Sequence, residues 1–335
     1  MKFLKIMNKD NKKIGLVFGA FRPFHLGHDA LIRFAQSNCD KLYVLLCFSD
    51  DDPIPGKNRL NWLLDTYKND LDIEIRITDI QLPLVPYSSK MVSRVWAQYL
   101  KEIFPDVTHL FSSERYGTFT AEFMGIEHML FDTDRQTFFV SGTKIRNHPF
   151  VYWSYLPDIV KPYFVKRICI CGTESTGKSV MAEKLAKRYH TEFVQEWGRI
   201  ICPASDSCTM NMIMDIGKAH AKDLNEKVIK ANKILFSDTD LNTTKMYSFF
   251  LFDKIPIFDD WIEEANHFDL HLFLENDSPF VQDGTRLSEK RRNELRDYHY
   301  DFLVSQGCNI KIVSGSDWDV RYEKACRIID EEIFG

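Results

Sequence analysis

The sequence predicts two consecutive α/β domains, residues 1–160 and 161–335, each built on a mostly parallel sheet. Three observations lead there. Short apolar runs alternate with stretches of helical spacing from residue 14 onward. Each half opens on an apolar strand that breaks into a glycine turn, at Gly19 and again at Gly172. The chain has 335 residues, more than one hydrophobic core of roughly 100–150 residues usually serves.

In the first half, Ile14-Gly15-Leu16-Val17-Phe18-Gly19 reads as a buried strand. Pro23 delays the next helix, and residues 28–39 then place Ala30, Leu31, Phe34 and Ala35 on one side. A strand over 41–48, a polar loop over 50–56, a helix over 58–67 and a strand over 71–80 follow. The pattern then predicts a helix over 89–104, ended by Pro105, and a short strand over 109–112. Around 147–166, Pro149, Pro157 and Pro162 punctuate an aromatic stretch. It predicts a short helix and a packed connector that holds the two domains in a defined relation.

The second half begins with the strand Arg167-Ile168-Cys169-Ile170-Cys171 and a helix over 180–189. A strand over 192–195, a long helix over 208–231 and an apolar strand over 234–238 that ends in acid come next. Later strands are expected at 270–274 and 310–313, with an amphipathic helix over 319–334.

Apolar residues make up 44% of the chain and charged residues 27%, with a formal net charge of -5. That balance fits a globular enzyme and predicts no nucleic-acid partner, while leaving room for a local basic pocket. The eight cysteines contain no CxxC pair, which points to free thiols in a reducing compartment. No run approaches the roughly 18 apolar residues of a membrane helix, so a cytoplasmic protein without membrane insertion is expected. Oligomeric state is not legible, and a homo-oligomer stays open.

Two segments carry the chemistry. The first is Gly19-Ala20-Phe21-Arg22-Pro23-Phe24-His25-Leu26-Gly27-His28, answered by Ser141-Gly142-Thr143-Lys144-Ile145-Arg146. The offset of three places His25 and His28 on nearly one side of a starting helix. There two imidazoles and the helix N-terminus meet one phosphate. The later loop adds hydroxyls, backbone donors and the fork of Arg146. The second segment is Gly172-Thr173-Glu174-Ser175-Thr176-Gly177-Lys178-Ser179, which fits the phosphate-loop pattern between a strand and a helix. Its glycines allow the amides to turn inward, Lys178 reaches the β- and γ-phosphates, and Ser179 ligates Mg²⁺. Ser237-Asp238-Thr239-Asp240 adds an acidic strand end, with Asp238 a metal ligand or a partner for a substrate hydroxyl.

The pair His25-Leu26-Gly27-His28 and Ser141 to Arg146 resembles the HxGH and SGTxxR motifs of nucleotidylyltransferases, which implies a Rossmann-like first domain. More closely, the chain resembles bifunctional nicotinamide-nucleotide adenylyltransferase/ribosylnicotinamide kinases. The likeness extends over Ser112 to Gly117, Asp132 to Arg135 and the Trp153 to Ser179 junction. It implies that the first domain joins nicotinamide mononucleotide to the adenylyl group of ATP, giving NAD and pyrophosphate. The second, a P-loop kinase domain, would phosphorylate nicotinamide riboside with ATP.

By this resemblance His28 stabilises the transferring phosphoryl oxygens and His25 assists. Gly19, Ala20, Phe21, Ser141, Gly142, Thr143 and Arg146 hold the nucleotide, with Mg²⁺ offsetting charge. Asp134 and Arg135 brace the site or form a structural pair. The family usually carries a lysine where this chain has Ala20, which puts the phosphate contacts of the first site in question. Leu82 to Tyr87 and Trp96 serve either the nicotinamide end or the core.

In the kinase half, Glu196 and Arg199 resemble the element after the phosphate-loop helix. Glu196 or Asp238 orients or deprotonates the ribose hydroxyl. Arg286, in a lid-like segment 281–286, neutralises the moving phosphoryl group, either with Arg291 or Arg292 or with Lys290-Arg291-Arg292 serving as an ordinary helix surface. His220, His267, His271 and His299 read as packing or surface residues. Two other functions compete with this reading. One is a kinase whose first domain is a nucleotide sensor or partner of an uptake protein. The other is a DNA-binding regulator, disfavoured because only about thirteen residues precede the first strand and no basic recognition helix is visible.

Overall fold

The structure, a computed structural model, describes residues 12–80, 90–133, 136–202, 208–277 and 289–335. The chain divides after Val160 into two compact units. Each unit closes its own five-stranded sheet, and every strand pair is parallel.

The first unit runs β1 (Ile14–Gly19), α1 (Leu26–Gln36), β2 (Lys41–Cys47), α2 (Gly56–Tyr67), β3 (Ile73–Thr78), α3 (Lys90–Ile103), β4 (His109–Ser112), α4 (Tyr116–Met124), β5 (Glu127–Leu130) and α5 (Gly142–Asn147). Its strand order, β3-β2-β1-β4-β5, is the Rossmann-like arrangement the resemblance implies. Side chains alternate across each strand. Leu16, Tyr43 and Leu45 therefore face α3 and α4, where they meet Trp96, Leu100 and Met124. Each such apolar side chain contributes on the order of 1.5–3 kcal/mol by leaving water. Trp96 belongs to this core, stacked on Phe18 with ring centroids 5.4 Å apart. The chain winds from β1 out to β3, then crosses back to β4. The carboxyl end of β1 is thus the switch point where such sheets bind ligands.

The second unit runs β6 (Lys166–Cys171), α6 (Lys178–Arg188), β7 (Phe193–Val194), α7 (Trp197–Ile201), α8 (Met210–Val228), β8 (Ile234–Asp238), α9 (Leu241–Phe252), α10 (Asp260–Ala265), β9 (Leu270–Leu274), α11 (Glu289–Ser305), β10 (Ile310–Val313) and α12 (Trp318–Ile329). Strand order is β10-β9-β6-β8-β7, so the strand that feeds the glycine loop is again central. One face is apolar: Ile168, Ile170, Phe236 and Leu272 pack against Met181 and Leu185 of α6 and Ala325 and Ile329 of α12.

The opposite face is partly polar, because Cys169 lies beside both Ser237 and His271 in register. His220 satisfies its ring there, with Nε2 against Ser237 Oγ at 2.8 Å and Nδ1 against Asn266 Oδ1 at 3.0 Å. His271 differs from the packing role expected of it. Its Nε2 lies 3.1 Å from Asp240 Oδ2, and both side chains are buried. Cys169 completes a trio whose ligand-type atoms lie within 4.8 Å of one another. Asp240 also accepts from the amide and hydroxyl of Thr243, so the trio is a buried ion pair beside a thiol. None of the eight cysteines is in a disulfide. Among the described residues, no helix is long and apolar enough to cross a membrane.

Several elements differ from the sequence prediction. α1 begins at Leu26 rather than residue 28, because His25 caps it. Residues 142–147 form a short helix in place of the expected loop. Short 3₁₀ turns, Trp153–Tyr155 and Lys161–Tyr163, stand where one short helix was expected. α12 ends at Ile329 and continues as a π-helical turn over Asp330–Phe334, whose Ile333 packs on the core and whose Phe334 stacks on Tyr189.

Candidate functional sites

At the end of β1 the chain turns through Ala20 and Phe21 into the capped start of α1. His25 is extended, and its Nδ1 accepts the amide of His28 at 3.3 Å. The two imidazoles stack, with centroids 3.7 Å apart and planes 18° apart. Phe21 meets the His28 ring edge-on at 5.0 Å. Ser141 plays the same capping part for α5, accepting the amide of Lys144. Two capped helix N-termini therefore open toward one space, where first-turn amides and the helix dipole favour an anion.

That space is a cavity of about 290 Å³ in the first unit. Gly19, Ala20, Phe21, His25 and His28 line one side, and Ser141, Gly142, Thr143 and Arg146 the other. The two motif segments expected at the first site are thus brought together, although they lie more than a hundred residues apart in the chain. Arg146 donates from Nη1 to the Arg22 carbonyl and from Nη2 to Thr143 Oγ1 at 3.2 Å. Gly142 sits against the same Arg22 carbonyl, where a β-carbon would collide. The close approach joins the two motif segments.

Sequence reasoning missed the support beneath this turn. Arg59 of α2 is fully buried. It donates to the Ala20 carbonyl at 2.7 Å and to Asp52 Oδ2 at 2.8 Å. The other Asp52 oxygen binds Arg22. Burial alone would raise the Asp52 pKa. The Ser49 amide and the two guanidiniums outweigh it and hold the carboxylate below its usual range. No motif marks Asp52 or Arg59; the one available signal is an arginine among the apolar positions of a helix. Asp134, Arg135 and the segment 82–87 lie outside the described residues.

In the second unit β6 runs into Gly172, and α6 starts directly after Gly177. Gly177 has φ +85, and a β-carbon there would come within 2.5 Å of the Trp318 ring, so both backbone and space require glycine. Lys178 is buried, and its Nζ donates to the Thr173 carbonyl at 2.9 Å. Thr176 Oγ1 donates to the same oxygen at 2.8 Å. These bonds hold Glu174 and Ser175 in a closed turn that ends at Ser179.

Asp238 closes β8 beside Ile170, in register with the strand that carries the loop. It is 1% exposed, and among the described residues neither carboxylate oxygen has a partner at full hydrogen-bond geometry, although the Ser179 hydroxyl is near enough to act on it. Its pKa is raised by burial and by the charge of Glu196, against the pull of Lys178, Ser179 and Arg199. Glu196 stands just before α7 and is paired to Arg199 at 2.7 Å. Lys178, Ser179, Glu196 and Asp238 therefore share one electrostatic neighbourhood. Arg286 lies outside the described residues. Arg292, expected on a helix surface, is buried.

Comparison with known proteins agrees with both halves. An AAA-domain family model matches residues 167–321. The trifunctional NAD biosynthesis/regulator protein NadR of Escherichia coli K12 is 32% identical, over 96% of this chain and 84% of its own length. The Salmonella typhimurium LT2 protein of the same name is 30% identical, over 96% and 83%. Two crystal structures of NadR, one with NR and one with NAD and AMP-PNP, are each 21% identical. Both superpose with TM-scores of 0.77, over 96–97% of this chain and of their own chains, and establish the fold. On this identity, sustained over 96% of its length, the chain belongs to the NadR family of NAD biosynthesis/regulator proteins.

Proposed function

We propose that this chain is a bifunctional enzyme of NAD salvage. The second unit phosphorylates nicotinamide riboside with ATP, and the first adenylylates the resulting mononucleotide. The observation that carries this reading is the presence of two separate phosphate-directed sites, each at the end of the central strand of its own sheet. The full-length relatives are named for NAD biosynthesis, which supplies the nicotinamide nucleotide as substrate.

In the first unit, a phosphate oxygen of the mononucleotide attacks the α-phosphorus of ATP. A new P–O bond forms, the bond to the β-phosphate oxygen breaks, and pyrophosphate leaves. His28, Arg146 and the amides at the starts of α1 and α5 stabilise the charge that builds on the phosphate oxygens. His25 keeps the His28 segment in place through the bond from Nδ1 to its amide.

In the second unit, the riboside 5′-hydroxyl attacks the γ-phosphorus, and ADP leaves. The hydroxyl proton passes to a carboxylate. Lys178 moves from the Thr173 carbonyl to the β- and γ-phosphates. Buried carboxylate oxygens next to a serine hydroxyl suit a hard divalent cation. Ser179 and Asp238 would hold Mg²⁺, which when bound neutralises phosphate charge. Glu196, tethered by Arg199, is then left to orient and deprotonate the hydroxyl. Arg286 is assigned to the transferring phosphoryl group.

Product analysis of the purified chain with Mg²⁺-ATP tests the reading. Riboside should yield mononucleotide and ADP, and mononucleotide should yield NAD and pyrophosphate. Absence of both conversions in folded protein rejects it.

A further inference from the structure

We propose that Arg22 is a ligand of the ATP phosphates in the adenylyl-transfer site. With Arg146 it forms a two-guanidinium clamp that replaces the lysine missing at Ala20. The proposal rests on the adenylyl-transfer reading and extends it to a residue outside the recognised motifs.

Four charged groups meet beneath the turn: Arg22, Arg59, Arg146 and Asp52. Arg22 and Arg59 pair with the one carboxylate, and Arg146 lies close enough to feel its charge. Arg59 is the structural partner, fully buried and fixed by the Ala20 carbonyl and Asp52 Oδ2. Arg22 takes the other carboxylate oxygen, yet its side chain remains 32% exposed and it lines the cavity with His25, His28 and Arg146. Its carbonyl receives Arg146 Nη1, which holds the two arginines side by side. Arg146 titrates below the usual guanidinium range because it is partly buried and because the Arg22 charge is near. Like charges held together lose free energy that an intervening polyanion restores. A triphosphate chain is the anion that such a planar, forked pair recognises. Arg22 also sits two residues after Ala20 on the same turn, and both line the same cavity.

The test compares wild type, Arg22→Ala, Arg22→Lys and the double variant Arg22→Ala/Ala20→Lys in steady-state adenylyl transfer. A charge-assisted contact predicts that Arg22→Ala lowers kcat/KM for ATP about 10- to 100-fold. KM for the mononucleotide should stay within about twofold, and pyrophosphate inhibition should weaken in parallel with ATP use. Riboside phosphorylation by the same protein should not change. Arg22→Lys should keep part of the activity, and the double variant should regain most of it, which a purely structural loss of the Asp52 contact would not allow. Unchanged ATP dependence in Arg22→Ala, or a loss that lysine at position 20 does not rescue, overturns the proposal while leaving the adenylyl-transfer reading intact. A wild-type protein that forms no dinucleotide overturns both.

Discussion

The His25 ring lies almost flat on that of His28, with centroids 3.7 Å apart, while its Nδ1 accepts the His28 amide. The same amide also donates to the His25 carbonyl at 2.8 Å, so ring and backbone of His25 hold the first turn of α1 together. The cap thus aligns both rings before any substrate arrives.

Each unit carries its own phosphate-directed groups, so the two reactions should be separable by mutation. His28→Ala is expected to lower adenylyl transfer by about 10²–10³-fold, the usual cost of removing a charge-stabilising donor, and to leave riboside phosphorylation intact. Lys178→Ala should do the reverse. Parallel assays on both variants check this, and loss of both reactions in either folded variant contradicts it.

The two kinase carboxylates should fail differently. Asp238→Asn is expected to raise the Mg²⁺ concentration needed for half-maximal rate. Glu196→Gln should leave that requirement unchanged and lower kcat by about 10²–10⁴-fold, the range of general-base catalysis. Metal titrations of each variant decide the matter, and an exchange of the two phenotypes reverses the assignment.

Arg59 is expected to be a stability residue of the first unit. Arg59→Ala removes one partner from a buried charged cluster and should cost about 3–5 kcal/mol. Urea unfolding followed by a probe in the first unit measures it. A change below about 1 kcal/mol would mean that Arg22 alone satisfies Asp52.

Asp240 and His271 give the second unit a defined pH response. Burial opposes charge on His271, yet the Asp240 carboxylate overrides it and raises the imidazole from 6.5 to about 11. Burial likewise works against ionised Asp240, and His271 and Thr243 hold it well below 3.8. A raised folded value stabilises fully below the unfolded value and fades as pH climbs through the folded one. The stability gap between wild type and His271→Asn should therefore be widest near pH 4–6.5 and close progressively toward about pH 11. Thermal melting across that range tests it, and a gap that widens with pH excludes the ion pair.

Much of this architecture was legible because buried parallel strands are short apolar runs. β4, β8, β9 and β10 lie where the runs predicted. β5 was not, since it is an edge strand with two of its four residues exposed and no apolar alternation. α9 escaped because its polar residues gather in the first half and its apolar ones in the second, with Phe249, Phe250, Leu251 and Phe252 in succession, so no helical-period stripe stands out. The motif residues could be named because phosphate binding demands particular types at fixed spacing. Asp52 and Arg59 had no such signature; their importance comes from burial and from the Ala20 carbonyl, which only the folded chain brings near.

Trp318 resting on Gly177 gives the phosphate loop an optical reporter of its own. An indole at that distance from the loop backbone experiences any local rearrangement as a change in its emission. A difference spectrum against Trp318→Phe isolates that signal from the other five tryptophans of the chain, so nucleotide arrival in the second unit can be timed without a label.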